Sequence, residues 1–109
     1  MNTIRIEEWP ESLNDQAAML GMEPSEISSR TALVFEQSFD ALGDFFGCVA
    51  RMGNGQIFAL MRYIGNPVPG TIIVLEQGKY SPSLGVEQLN YILAELAVTA
   101  EDVIWLRQE

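Results

Sequence analysis

The sequence predicts an α+β fold: a mostly antiparallel three- to five-stranded sheet, a helix over about 86–98 on one face, and a short helical N-terminal segment. Three observations predict it. Gly53-Asn54-Gly55 separates two apolar runs, and Asn and Gly accept the positive φ of a tight hairpin. Thr71, Ile72, Ile73 and Val74 are consecutive β-branched residues, whose side chains pack well on a pleated surface. Val86, Leu89, Ile92, Leu93 and Leu96 recur at helical spacing and give a helix one apolar face.

The elements follow in order. Ile4 and Ile6 alternate with Arg5 and Glu7, so residues 2–10 are partly extended until Pro10 interrupts them. Ser12 or Asn14 is placed to cap a short helix through Leu20, with Ala17, Ala18 and Leu20 turned inward and Gly21 closing it. Pro24 opens a second helical turn. Thr31 to Gln37 predicts a strand, with Leu33 and Phe35 on one face, and Ser38 to Asp44 a loop or a single helical turn. Phe45 to Met52 and Gln56 to Ile64 are the arms of the hairpin. Gly65-Asn66-Pro67-Val68-Pro69-Gly70 is a rigid loop, Thr71 to Glu76 a strand, and Gln77 to Ser83 turn-rich. Thr99 to Asp102 breaks the long helix, and Val103 to Leu106 predicts a closing strand. With 109 residues, no internal repeat and no linker, the expectation is one domain over 1–109.

Charge is distributed unevenly along this chain of net charge −9. Glu7, Glu8, Glu11, Asp15, Glu23, Glu26, Glu36, Asp40 and Asp44 make the first 44 residues strongly acidic. Residues 45–84 hold one acid, Glu76, against Arg51, Arg62 and Lys79. Such a field repels phosphate backbones, and six basic residues supply little of the counterion release on which nucleic-acid binding depends. It attracts basic proteins and speeds their encounter.

Several chemistries lack their residues. The chain contains no His, the usual acid–base group and commonest metal ligand. Its lone Cys48 has only Arg51 nearby in sequence, three positions along a strand and therefore on the opposite face, so a buried structural thiol is expected rather than a nucleophile. Glu7-Glu8 and Glu101-Asp102 are pairs at element ends, where solvent and helix termini account for them. Glu76 ends a strand and should reach water. The acids lack the spacing of a calcium loop, and the glycines form neither a dinucleotide fingerprint nor a phosphate loop. No cofactor or metal is expected. No segment has the length of a membrane span, and the N-terminus lacks the apolar core of a secretory signal, so a cytoplasmic, bacterial-type protein is expected.

Residues 14–30 invite comparison with a helix-turn-helix. Ala17 and Gly21 have the spacing of its tight turn, and Leu20, Met22 and Ile27 fall at apolar positions. Gln16 and Arg30 occupy positions that should be apolar, and Glu23 and Glu26 would face phosphates with the wrong sign. The aromatics Phe45, Phe46, Phe58 and Tyr63 are expected in a packed core, since only Arg51 and Arg62 accompany them.

In length, acidity, absence of His and lack of a catalytic constellation, the chain is similar in overall character to bacterial toxin-neutralising immunity proteins and antitoxins. That resemblance implies a non-enzymatic inhibitor with an acidic surface that occupies the basic active site of a partner, with Glu7, Glu8, Glu11, Asp15, Glu36, Asp40 and Asp44 as the partner-binding residues. The alternatives are a nucleic-acid mimic that inhibits a host enzyme, a regulator using residues 14–30, and a small-molecule-binding domain. An exposed edge strand would permit a homodimer.

Overall fold

The Gly53–Gly55 turn joins the two longest-paired strands of the sheet. The computed structural model describes residues 2–4, 9–31, 33–53, 55–65, 67, 70–76 and 84–106; for residues 2, 4, 15, 84–89, 100, 105 and 106 it describes the backbone only. In chain order the elements are β1 (Asn2–Ile4), β2 (Leu13–Leu20), α1 (Pro24–Thr31), β3 (Glu36–Asp40), β4 (Gly43–Arg51), β5 (Ile57–Tyr63), β6 (Thr71–Glu76), α2 (Leu84–Glu95), a 3-10 turn (Ala100–Asp102) and β7 (Val103–Leu106). The strand order is β1-β4-β5-β6-β2-β7, with β3 also paired to β4, and every pairing is antiparallel.

This overturns the expected architecture. Among the described residues the sheet has seven strands, not three to five, and the α-helices are two short ones rather than a principal helix with a helical N-terminal segment. The largest error lies at residues 13–20, expected as helix and found as strand β2 between β6 and β7. Two register shifts against β6, between Leu13 and Asp15 and between Gln16 and Ala18, break the alternation that would mark a strand. They leave Ala17, Ala18 and Leu20 all buried, an inward set that imitates helical spacing. The first helix of a helix-turn-helix is therefore absent, and residues 14–30 hold a strand followed by a helix.

Two further boundaries moved. Residues 31–37 were expected as strand, but α1 runs to Thr31 and β3 begins at Glu36. The Thr31 hydroxyl donates to the Ile27 carbonyl at 2.8 Å and accepts the Leu33 N–H, closing the helix end with a side chain. Residues 38–44 were expected as a loop and instead form the turn and inner halves of a β3–β4 hairpin. Asp40 Oδ1 accepts the Leu42 N–H at 2.8 Å, an Asx turn that reverses the chain into β4.

The sheet is apolar on both faces. One face carries Leu20, Cys48, Ala50, Phe58, Leu60, Ile73 and Leu75, packed with Ile27 of α1 and Ile92, Leu93 and Leu96 of α2. Each large side chain buried there contributes about 1.5–3 kcal/mol of transfer free energy. The other face is smaller. Leu13, Phe45, Val49, Ala59, Met61 and Val74 are buried, with Trp9, Ile57, Tyr63 and Ile72 packed beside them, and no helical residue joins them among those described. That second face forms the floor of the candidate site.

At the rim, Gly70 has φ +140°, and a Cβ there would collide with the Leu20 carbonyl oxygen. No helix among the described residues is long and apolar enough to cross a membrane.

Candidate partner-binding site

Strand pairing assembles a row of side chains across three strands. Ser38 of β3 lies opposite Phe45 of β4, and Phe45 lies opposite Tyr63 of β5. Directly paired residues point to the same side of a sheet, so the three share the second face. Trp9 extends the row from outside it. Its ring meets Phe45 edge-on at 5.7 Å between centroids, and Phe45 meets Tyr63 in the same manner at 5.9 Å. The Trp9 indole N–H donates to the Leu13 carbonyl at 2.9 Å and fixes the ring.

Asp40 sits two residues beyond Ser38 and therefore on the same face. Its Oδ2 accepts the Tyr63 hydroxyl at 2.6 Å, while Oδ1 holds the Leu42 amide. The Tyr63 phenol is pushed up to about 12, first by burial and then by this hydrogen bond and the carboxylate charge. Together these groups line a cavity of about 390 Å³, with Leu13, Met61 and Val74 as its apolar floor and Asn14, Gln16, Ser38 and Asp40 among its polar lining.

The hairpin that carries Asp40 also exposes apolar side chains. Phe39 is 77% exposed and Leu42, in the turn, 78% exposed. Phe46 and Val34 are exposed on the same part of the chain and line a second groove with Leu33 and Phe35.

The seven expected partner-binding residues do not form one patch. Glu36, Asp40 and Asp44 are brought onto the β3–β4 hairpin and are exposed. By alternation Glu36 and Asp40 share the cavity face, whereas Asp44, paired with Phe39, lies on the other face. Glu11 is exposed in the turn between Trp9 and Leu13. Asp15 belongs to β2, opposite Leu75, and its side chain is outside the description. Glu7 and Glu8 lie outside the described residues.

Other acids are engaged structurally. Glu23 pairs with Arg62 at 2.9 Å, Glu26 pairs with Arg30 at 3.5 Å, and Asp102 accepts the Thr99 N–H at 3.0 Å. Glu76 ends β6, opposite Leu13. Cys48 is buried, and its thiol is raised to about 11 by burial and by the charge of Glu36. Among the described residues, no three His, Cys, Asp or Glu side chains converge as a metal-ligand group.

Sequence reasoning missed Trp9, Ser38, Phe39 and Tyr63 as site residues, because the cavity depends on residues 36–44 forming a hairpin. The available signal was Ser38-Phe39-Asp40 followed by Gly43, an alternating run closed by an Asx-type turn. Comparison with protein-family models, with characterised proteins and with solved structures finds no match to this chain.

Proposed function

We propose that this is a non-catalytic acidic interaction protein that binds and neutralises a basic partner protein, in the manner of a toxin inhibitor, through the β3–β4 end of its sheet. One observation carries the reading: a single hairpin combines exposed Phe39 and Leu42 with the carboxylates Glu36, Asp40 and Asp44. Apolar anchors ringed by charge are the usual anatomy of a protein-binding hot spot. The net charge of −9 would steer a basic partner toward it. A cytoplasmic site of action suits a chain whose only cysteine is a buried thiol.

Asp40 lines a cavity beside Trp9, Phe45 and Tyr63, which supports occupation of a single basic site over imitation of a phosphate backbone. A small-molecule site is the second reading, supported by the cavity itself. Its titratable lining groups, Asp40 and Tyr63, are bonded to each other, an arrangement suited to holding a ligand.

The test uses the purified protein as bait against proteins of its own host at low and high salt, beside a Glu36→Gln/Asp40→Asn/Asp44→Asn variant. The expected result is a basic protein that binds stoichiometrically, loses activity when bound, associates more slowly as salt rises, and is released by the triple variant. Association that is indifferent to salt and to the three substitutions would overturn the proposal.

A further inference from the structure

We propose that the 390 Å³ cavity is a receptor for a cationic side chain, arginine or lysine, presented by the partner, with the rings of Trp9, Phe45 and Tyr63 as its aromatic wall and Asp40 as its counter-charge. The identity of the partner rests on the reading above; the chemistry of the cavity stands on its own lining.

Four features select a cation. No Lys or Arg is among the residues lining the cavity, so no cationic side chain there would neutralise an anion, and the one charged group is Asp40. The faces of aromatic rings are the negative ends of their quadrupoles and attract ammonium and guanidinium groups. Here two edge-on ring contacts hold Trp9, Phe45 and Tyr63 together as one aromatic cluster, and all three line the cavity. Asp40 is the third feature. Each of its oxygens accepts one hydrogen bond, from Tyr63 and from the Leu42 amide. An ionised carboxylate has about four acceptor positions, so about two remain. A neutral apolar ligand covering this group would strip its water and return nothing, whereas a cation compensates the loss.

The fourth feature is rigidity. The Asp40 carboxylate is held from two sides, and the Trp9 ring is held by its own N–H, so the site is organised before a ligand arrives. The volume lies near the small end of the roughly 300–1,000 Å³ of ligand pockets, which suits one long side chain entering from a protein surface.

The experiment needs no macromolecular partner. The full chain is titrated with the blocked tripeptides Gly-Arg-Gly and Gly-Lys-Gly, their norleucine and glutamate counterparts, and tetramethylammonium. The indole N–H resonance of Trp9 and the ring resonances of Tyr63 report binding. The cationic tripeptides should give saturable shifts in the millimolar range, and the norleucine and glutamate peptides should give none. Asp40→Asn should weaken the cationic peptides at least about tenfold, the scale of a hydrogen bond to a charged group. Tyr63→Phe keeps the ring and the carboxylate but frees one side of Asp40, so it should weaken the cationic peptides, and by less than Asp40→Asn does.

Equal binding of the norleucine peptide, or no saturable shift with either cationic peptide, overturns the proposal on the unsubstituted protein, whatever the variants do. Tighter binding of tetramethylammonium than of both tripeptides overturns the side-chain assignment in favour of a free small cation. If a basic protein is captured in a salt-dependent way while the cationic peptides leave Trp9 unmoved, this inference fails and the inhibitor reading survives. If the peptides bind and no basic partner exists, the reverse holds.

Discussion

The Tyr63 hydroxyl donates to the Asp40 carboxylate at 2.6 Å across strand β4, which separates the two strands that carry them. This bond ties the hairpin tip to the body of the sheet and adds to the burial that holds the proton on the tyrosine. The phenol is raised to about 12, above its ordinary 10.0, so the folded state holds a proton that the unfolded chain releases. The stability contributed is complete below pH 10 and declines as pH rises from about 10 to about 12. Ultraviolet titration should show Tyr63 ionising well above the ordinary tyrosine value, and Asp40→Asn should lower it part of the way back. A Tyr63 that titrates normally would deny the bond.

Gly70 should tolerate no side chain. Its φ of +140° is strained for any L residue, and the new methyl group would meet a backbone oxygen that cannot move aside. Gly70→Ala should cost about 2 kcal/mol or more, seen as a lower urea midpoint at unchanged slope. Gly43 has φ +132°, but a Cβ there meets nothing within 4 Å, so Gly43→Ala should cost less.

Cys48 should be inert until the protein opens. It is buried on the helix-covered face, and its thiol is raised to about 11. The thiolate is the reactive form, so a thiol reagent at pH 8 should label it no faster than the protein unfolds. Rapid labelling of the native protein would place the thiol at the surface.

Phe39 and Leu42 should matter to binding and little to folding. Both are largely exposed, so Phe39→Ser with Leu42→Ser should shift stability by about 0.5 kcal/mol or less per site. Loss of two apolar anchors should weaken partner binding by more than about 1 kcal/mol, read as a raised Kd at constant Tm.

What the sequence made legible depended on local signals. The 71–76 strand, the turn at 53–55 and the closing strand 103–106 are found at or near their expected bounds, because β-branched runs and glycine turns act over a few residues. Strand β2 was illegible because its two register shifts are made against β6, about sixty residues away, and no property of residues 13–20 announces them. The hairpin at 36–51 was hidden for a different reason. Glu36, Gln37, Phe39 and Asp40 are all exposed, so the strand lacks the alternation between buried and solvated positions that marks most strands. The candidate site inherited both errors. Three of its acids were named from charge alone; Phe45 is buried as expected, but that it and Tyr63 also wall a cavity shows only once β4 and β5 are aligned.

The outer side of β4 is divided between two segments: β3 pairs with residues 43–47 and β1 with residues 49–51. Among the described residues, an incoming strand meets on that flank two stubs of five and three residues that part at Cys48, and on the opposite flank β7, which covers only residues 18–20 of β2. Short, interrupted borders give an incoming strand few backbone groups to pair with in a row, a device that opposes edge-to-edge association.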